Sequence, residues 1–155
     1  MNNIWAPWRV EYITAPKDAS CILCTAPRNG DHLILTKGKL CFAIMNRFPY
    51  TTGHCMVAPY RHVGDLSEIT PDETSEIMSM VKDIVSAIRS SINPQGFNIG
   101  CNLGVVAGAG IADHIHMHIV PRWNGDTNFM PVLGDVHIIS DHIQNTFAKI
   151  KRCLP

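Results

Sequence analysis

The sequence predicts an α+β fold on an antiparallel sheet, from three observations: two β-like runs joined by a turn, one long amphipathic helix with clear end signals, and three histidines spaced by two. At 155 residues the chain is the size of one domain, large enough to bury its own core. Residues 1–38 read as an N-terminal segment and 39–155 as the core, with no internal repeat or low-complexity tract.

"KLCFAIMN" (39–46) is a β-like run stopped by "RFPY", where Pro49 removes a ladder donor. "GHCMVAPY" (53–60) alternates as the returning strand, so 39–60 is expected to be an antiparallel hairpin. The helix starts at "TPDE": Thr70 is the N-cap, Pro71 suits the first helical position and Glu73 completes a capping box. It should run to about Ser91, before Asn93-Pro94. Ile77, Met80, Val81, Ile84, Val85 and Ile88 form its apolar stripe, and Met78 also reads as core. "GFNIGCN" (96–102) reads as a strand and "LGVVAGAGIA" (103–112) as a small-residue loop. "PRWNGDTNFMPV" (121–132) reads as irregular, "DVHII" (135–139) as a strand, and Ser140 as the cap of a final helix reaching about Lys151.

Composition narrows the partners. Lys plus Arg and Asp plus Glu both number 13, so no net field draws the chain to a nucleic acid polymer or an anionic membrane. No apolar stretch approaches the roughly 18 residues of a membrane span, and "MNNIWAPWRVEY" lacks the apolar region of a secretion signal, so a cytoplasmic location is expected. Six cysteines stand at 21, 24, 41, 55, 101 and 153. Cys41, Cys55 and Cys101 lie in apolar stretches and read as small core hydrophobes. "CILC" (21–24) has a spacing that suits zinc but needs two more ligands; a redox pair is the alternative.

The chemistry concentrates in "HIHMH" (114–118). Residues i, i+2 and i+4 share a face on a strand but not on a helix, so His114, His116 and His118 project together while Ile115, Met117 and Ile119 face the core. Lone histidines such as His32, His137 and His142 are ordinary surface or core residues, whereas three on one strand face point to chemistry. The preceding loop, with Gly104, Gly108 and Gly110 and with Ala107 and Ala109, leaves backbone N–H groups open to a phosphate; loops of this composition also occur simply as turns.

"HIHMHIVPRW" resembles the signature of the histidine-triad nucleotide hydrolases and transferases. "AIMNRFPYTTGHCMVAPYRHVGDL" (43–66) is similar to that family's nucleoside-binding hairpin, and "GFNIGCNLGVVAGAGIADH" (96–114) to its phosphate-binding strand and loop. "VPRWNGDTNFMPV" (120–132) resembles the branch of diadenosine polyphosphate hydrolases and phosphorylases. The resemblance implies the histidine-triad fold: about five antiparallel strands, one long helix, a C-terminal helix, and a sheet continued across a homodimer. It also implies that His116 attacks the α-phosphorus of a nucleotide to form a covalent nucleotidyl-histidine, while the His114 carbonyl orients the His116 ring. An imidazole is largely neutral near pH 7 and offers its lone pair without a separate base.

By the same resemblance His118 serves the phosphate or leaving group, His54 lies near the α-phosphate, Asn46 meets the ribose, and Asn102 reaches the phosphate. Many members carry a Gln, Ser or Thr before the triad; here Ala109-Gly110-Ile111 stands there, so contacts from 108–110 would come from backbone N–H groups. Zinc-binding members imply a structural zinc held by Cys21, Cys24, His62 and His114, with no organic cofactor. Trp123 is a candidate cover for a base or a partner subunit, while Trp5 and Trp8 read as core or interface packing. Hydrolysis, phosphorolysis and nucleotidyl transfer share the first step and stay open. A nucleotide-binding module with little turnover is the competing reading, and a metal sensor using the histidine strip is a third.

Overall fold

A computed structural model describes residues 21–126 and 139–155. Expectations for Trp5, Trp8, His137 and nearly all of the 135–139 strand lie outside those residues. In chain order the elements are helix α1 (Ile22–Asn29), strands β1 (Ile34–Lys37), β2 (Cys41–Met45) and β3 (Cys55–Pro59), helix α2 (Pro71–Ile92), strands β4 (Gly96–Gly100) and β5 (Met117–Arg122), and helix α3 (Ile143–Arg152). The strands form one five-stranded sheet in the order β1-β2-β3-β5-β4, with every neighbouring pair antiparallel.

The 39–60 hairpin forms as expected, with Cys41 opposite Pro59 and Met45 opposite Cys55. Gly53 makes the turn into β3 at a positive φ of 83°, where a Cβ would lie 2.7 Å from the Ile92 side chain. Helix α2 carries both halves of its capping box: Glu73 N–H donates to the Thr70 hydroxyl and the Glu73 carboxylate accepts from Thr70 N–H. Asn93 closes it in the left-handed region at φ 48°. Ile77, Met80, Val81, Ile84 and Ile88 pack on the sheet with Phe42, Val57 and Ile119, and Val85 lies at their margin.

The expected core role of Met78 is corrected. It is exposed, because its position falls outside the arc of Ile77, Val81 and Ile84 that faces the sheet. Glu76 is fixed as well: its carboxylate accepts from the N–H groups of Leu40 and Cys41 at the start of β2.

The structure departs from expectation in four respects, the first being two missed elements. The sequence reading missed β1, an edge strand of four residues, and it missed α1, which begins at Ile22 between the paired cysteines. The cap of α3 is His142, whose ring nitrogen accepts from Gln144 N–H; Asp141, not Ser140, then gathers Asn145, Thr146 and Lys149. The third departure is that β5 runs on through Pro121 and Arg122.

The fourth is that β5 starts at Met117, so His114 and His116 precede the sheet. The β3–β5 pairing ends at Val57 with Met117, and two residues further along β3 stands Pro59, which has no N–H to extend a ladder. Ile115 turns instead to the loop after β3, donating its N–H to the Val63 carbonyl at 2.7 Å. Among the described residues no helix is long and apolar enough to cross a membrane.

Candidate active site

Four histidines converge where β3 and β5 meet, and all are buried: His54 and His114 are 0% exposed, His116 5% and His118 9%. Each imidazole has one nitrogen committed to a partner that fixes where its proton sits. The His116 Nδ1 lies 2.8 Å from the His114 carbonyl oxygen, which can only accept, so Nδ1 carries a proton and donates it there, and Nε2 is the nitrogen left for chemistry. His114 Nε2–H donates to the Pro59 carbonyl at 2.9 Å, leaving its Nδ1 open to a metal.

His54 and His118 form a relay. Tyr50 N–H donates to His54 Nδ1 at 3.1 Å, so His54 carries its proton on Nε2. That Nε2 lies 2.8 Å from His118 Nδ1, which therefore accepts and leaves the proton of His118 on Nε2, in a ring that lines a cavity. The rings pack closely: His116 and His118 meet edge to face at 4.7 Å, and Tyr50 lies 4.5 Å from His54. Burial, reinforced by His118 and His116, pushes His54 down to about 3. Burial and the neighbouring His116 push His118 down to about 4, so both are neutral near pH 7.

The other expected contacts surround this centre. Asn46 is engaged on the hairpin: its Oδ1 accepts from Phe48 N–H at 2.9 Å and its Nδ2 lies 3.4 Å from His54 Nδ1. Asn102 Nδ2 donates to the Gly108 carbonyl, clasping the loop before the triad. Within that loop Gly108 N–H donates to Val105 and Ala109 N–H to Gly104, whereas among the described residues Gly110 N–H donates to no backbone carbonyl. Cys41 and Cys55 are buried core thiols, as expected, and burial pushes Cys41 up to about 12. Cys101 departs from that reading: it is half-buried and lines a cavity beside His118.

The structure brings Cys21, Cys24, His62 and His114 together, with their ligand atoms all within 4.8 Å of one another. Cys21 Sγ and Cys24 Sγ lie 3.3 and 3.4 Å from His114 Nδ1, and Cys24 Sγ lies 3.3 Å from His62 Nδ1. A tetrahedral ion with bonds of about 2.3 Å to sulfur and 2.0 Å to nitrogen needs sulfur–nitrogen edges of about 3.5 Å, so the four donors fit one. The Pro59 carbonyl on the far nitrogen of His114 supplies the outer contact that orients a ligating imidazole. Burial and the adjacent Cys21 raise the Cys24 thiol pKa, the repulsion that a bound cation would relieve.

An imidazole oriented through Nδ1, flanked by a second imidazole presenting an N–H, is an arrangement able to support nucleophilic attack on an electrophile such as phosphorus. Comparison with known proteins gives the family: the HIT domain matches residues 28–125, and the chain belongs to the HIT family. It is 36% identical over 157 residues to a Mycobacterium tuberculosis protein named AP-4-A phosphorylase, covering 94% of this chain and 80% of that one. A Schizosaccharomyces pombe bis(5'-nucleosyl)-tetraphosphatase [asymmetrical] is 33% identical over 93 residues, 60% of this chain and 50% of its own length. The crystal structure of a Zn-bound histidine triad family protein from Mycobacterium smegmatis superposes with a TM-score of 0.70 at 27% identity, covering 86% of this chain and 92% of that one.

Proposed function

We propose that this protein cleaves dinucleoside polyphosphates at an α-phosphate through a covalent intermediate on His116. The observation that carries the reading is the His116 ring, held through Nδ1 by the His114 carbonyl and packed edge to face beside His118. In the first step Nε2 forms a bond to the α-phosphorus while the bond to the bridging oxygen breaks. The leaving polyphosphate departs with that electron pair, and His118 Nε2–H stabilises the charge that develops on it. The His114 carbonyl stabilises the imidazolium through Nδ1–H. An acceptor oxygen then bonds to the same phosphorus as the phosphorus–Nε2 bond breaks, the electron pair returns to Nε2, and any proton on the acceptor passes to solvent.

His54 acts by holding the His118 tautomer, and Asn46 by holding the hairpin and His54. Asn102 and the Gly110 N–H meet phosphate oxygens, with Gly108 and Ala109 shaping the turn. The relative that covers 94% of the chain is named a phosphorylase, so inorganic phosphate is the first acceptor to test. Cys21, Cys24, His62 and His114 hold a structural zinc that leaves no position for substrate and ties the N-terminal segment to the triad. The active form is a cytoplasmic homodimer joined through the exposed β4 edge and α2.

The test is product analysis on dinucleoside tetraphosphates, with and without phosphate. Phosphorolysis gives a nucleoside diphosphate and a triphosphate; hydrolysis gives a monophosphate and a triphosphate. His116→Ala should lower turnover roughly a thousandfold or more, and turnover equal to wild type would overturn the nucleophile assignment.

A further inference from the structure

Between β3 and α2 the chain passes beside the triad as a strap, residues 60–64, that belongs to no helix or strand. Three contacts seat it on the triad segment. Pro59 at its head accepts from His114 Nε2–H, and Val63 accepts from Ile115 N–H at 2.7 Å. Gly64 lies so close to the loop before His114 that a Cβ there would stand 3.0 Å from the Asp113 Cα. That neighbour is backbone and cannot swing aside, so a shift of the strap is passed on to residues 112–115.

The Val63 contact acts on a peptide unit that the chemistry uses. The N–H of Ile115 and the C=O of His114 are the two poles of one planar, trans group, so they point in opposite directions. One pole is fixed by the Val63 carbonyl, and the other accepts from His116 Nδ1 at 2.8 Å. The direction of the carbonyl that orients the His116 ring is therefore set from Val63. Donation at the N–H also polarises the unit and makes its oxygen a better acceptor, as hydrogen bonds in series do. That gain counts most when His116 becomes an imidazolium.

What holds Val63 stands two residues earlier. Arg61 Nε and one terminal nitrogen donate to the two carboxylate oxygens of Glu73, both at 2.7 Å, and the same terminal nitrogen reaches the Glu68 carbonyl at 2.8 Å. The Glu73 carboxylate is itself fixed: the residue is 2% exposed and accepts from Thr70 N–H at 2.9 Å. A bidentate pair with one buried partner holds direction as well as distance, whereas an ion pair between two exposed, mobile ends holds neither. Arg61 thus ties the strap to the first turn of α2, a helix whose apolar side is packed on the sheet.

We infer that Arg61 and Glu73 are positioning residues for His116. Their ion pair seats the strap, the Val63 carbonyl sets the His114–Ile115 peptide, and that peptide aims and strengthens the hydrogen bond to the His116 ring. Both side chains act through the backbone. The effect on rate rests on the proposed attack by His116, whereas the effect on the ring does not.

Glu73→Gln is the decisive variant, because a glutamine still caps α2 while losing the charge and one of the two acceptors that face Arg61. Its His116 Nδ1–H proton resonance should move upfield and exchange faster with water, as a weakened hydrogen bond does. On a dinucleoside tetraphosphate kcat should fall about tenfold at unchanged KM, the pattern of a reacting group held slightly out of place. Arg61→Met, which keeps the stem and removes the fork, should give the same signature. Ile84→Val, which loosens α2 in the core away from the strap, should leave both readouts at wild type. A wild-type resonance in both Glu73→Gln and Arg61→Met would overturn the proposal, and so would an equal change in Ile84→Val. Zinc content is measured alongside, because His62 lies on the same strap. A resonance that changes only in protein lacking zinc, and equally in chelated wild type, would also overturn the proposal. A wild type that cleaves no nucleotide, with the resonance still following the ion pair, would overturn the cleavage reading and leave the positioning role standing.

Discussion

At the scale of single residues, protons in the site are placed by groups that do not titrate: the Tyr50 N–H and the carbonyls of His114 and Pro59. Nitrogen-15 NMR of the imidazoles should find His116 protonated at Nδ1 and His118 at Nε2; the reverse pattern for His118 would break the relay through His54. The same burial makes stability pH-dependent. His54 and His118 are held at about 3 and about 4 in the folded chain against an ordinary 6.5, so between these values the unfolded chain binds more protons. Stability from this pair is therefore whole above about pH 6.5 and declines as pH falls toward 4. Urea midpoints from pH 7.5 to 5 should show the decline, and His118→Asn should flatten it by about one proton's worth of slope. The shared spacing of the triad histidines lies in the chain itself, and the resemblance supplied the His114 carbonyl on the His116 ring; the tautomers of His114 and His118 were not legible, because the Pro59 carbonyl and the His54 ring come from distant segments.

Among the elements, α2 was readable nearly end to end, since its capping box, first-turn proline and closing Asn93-Pro94 are local signals. Thr70→Ala should cost about 1 kcal/mol in equilibrium unfolding, as N-cap losses do. Gly53→Ala should cost about 1–3 kcal/mol, because the residue sits at φ 83° with Ile92 2.7 Å from the added Cβ. A normal unfolding midpoint for that variant would show that the turn tolerates a side chain. Helix α1 was illegible for a different reason: it spans eight residues and contains Pro27, so no periodic pattern has room to develop. Strand β1 is shorter still, and its pairing with β2 carries a register shift that blurs alternation.

For the whole molecule, the Cys-x-x-Cys spacing alone left two ligands open, the resemblance named His62 and His114, and the fold brings all four together across about ninety positions of chain. Purified protein should carry about one zinc per chain, and chelation should lower the thermal midpoint and unsettle the triad. Cys24→Ser should lose the metal; full zinc content in that variant would remove Cys24 from the ligand set. Sedimentation should give a dimer, since β4 is an exposed edge of the sheet.

Pro59 joins two of these properties in one residue. Its missing donor stops the β3–β5 ladder before the first two triad histidines, and its carbonyl decides which nitrogen of His114 faces the thiols. An ordinary residue at this position would offer an N–H for the sheet to continue, drawing the chain around His114 into register and away from the cysteines. Sheet length and the grouping of the two thiols with the His114 ring are thus one trait, so substitutions at 59 should shift both together.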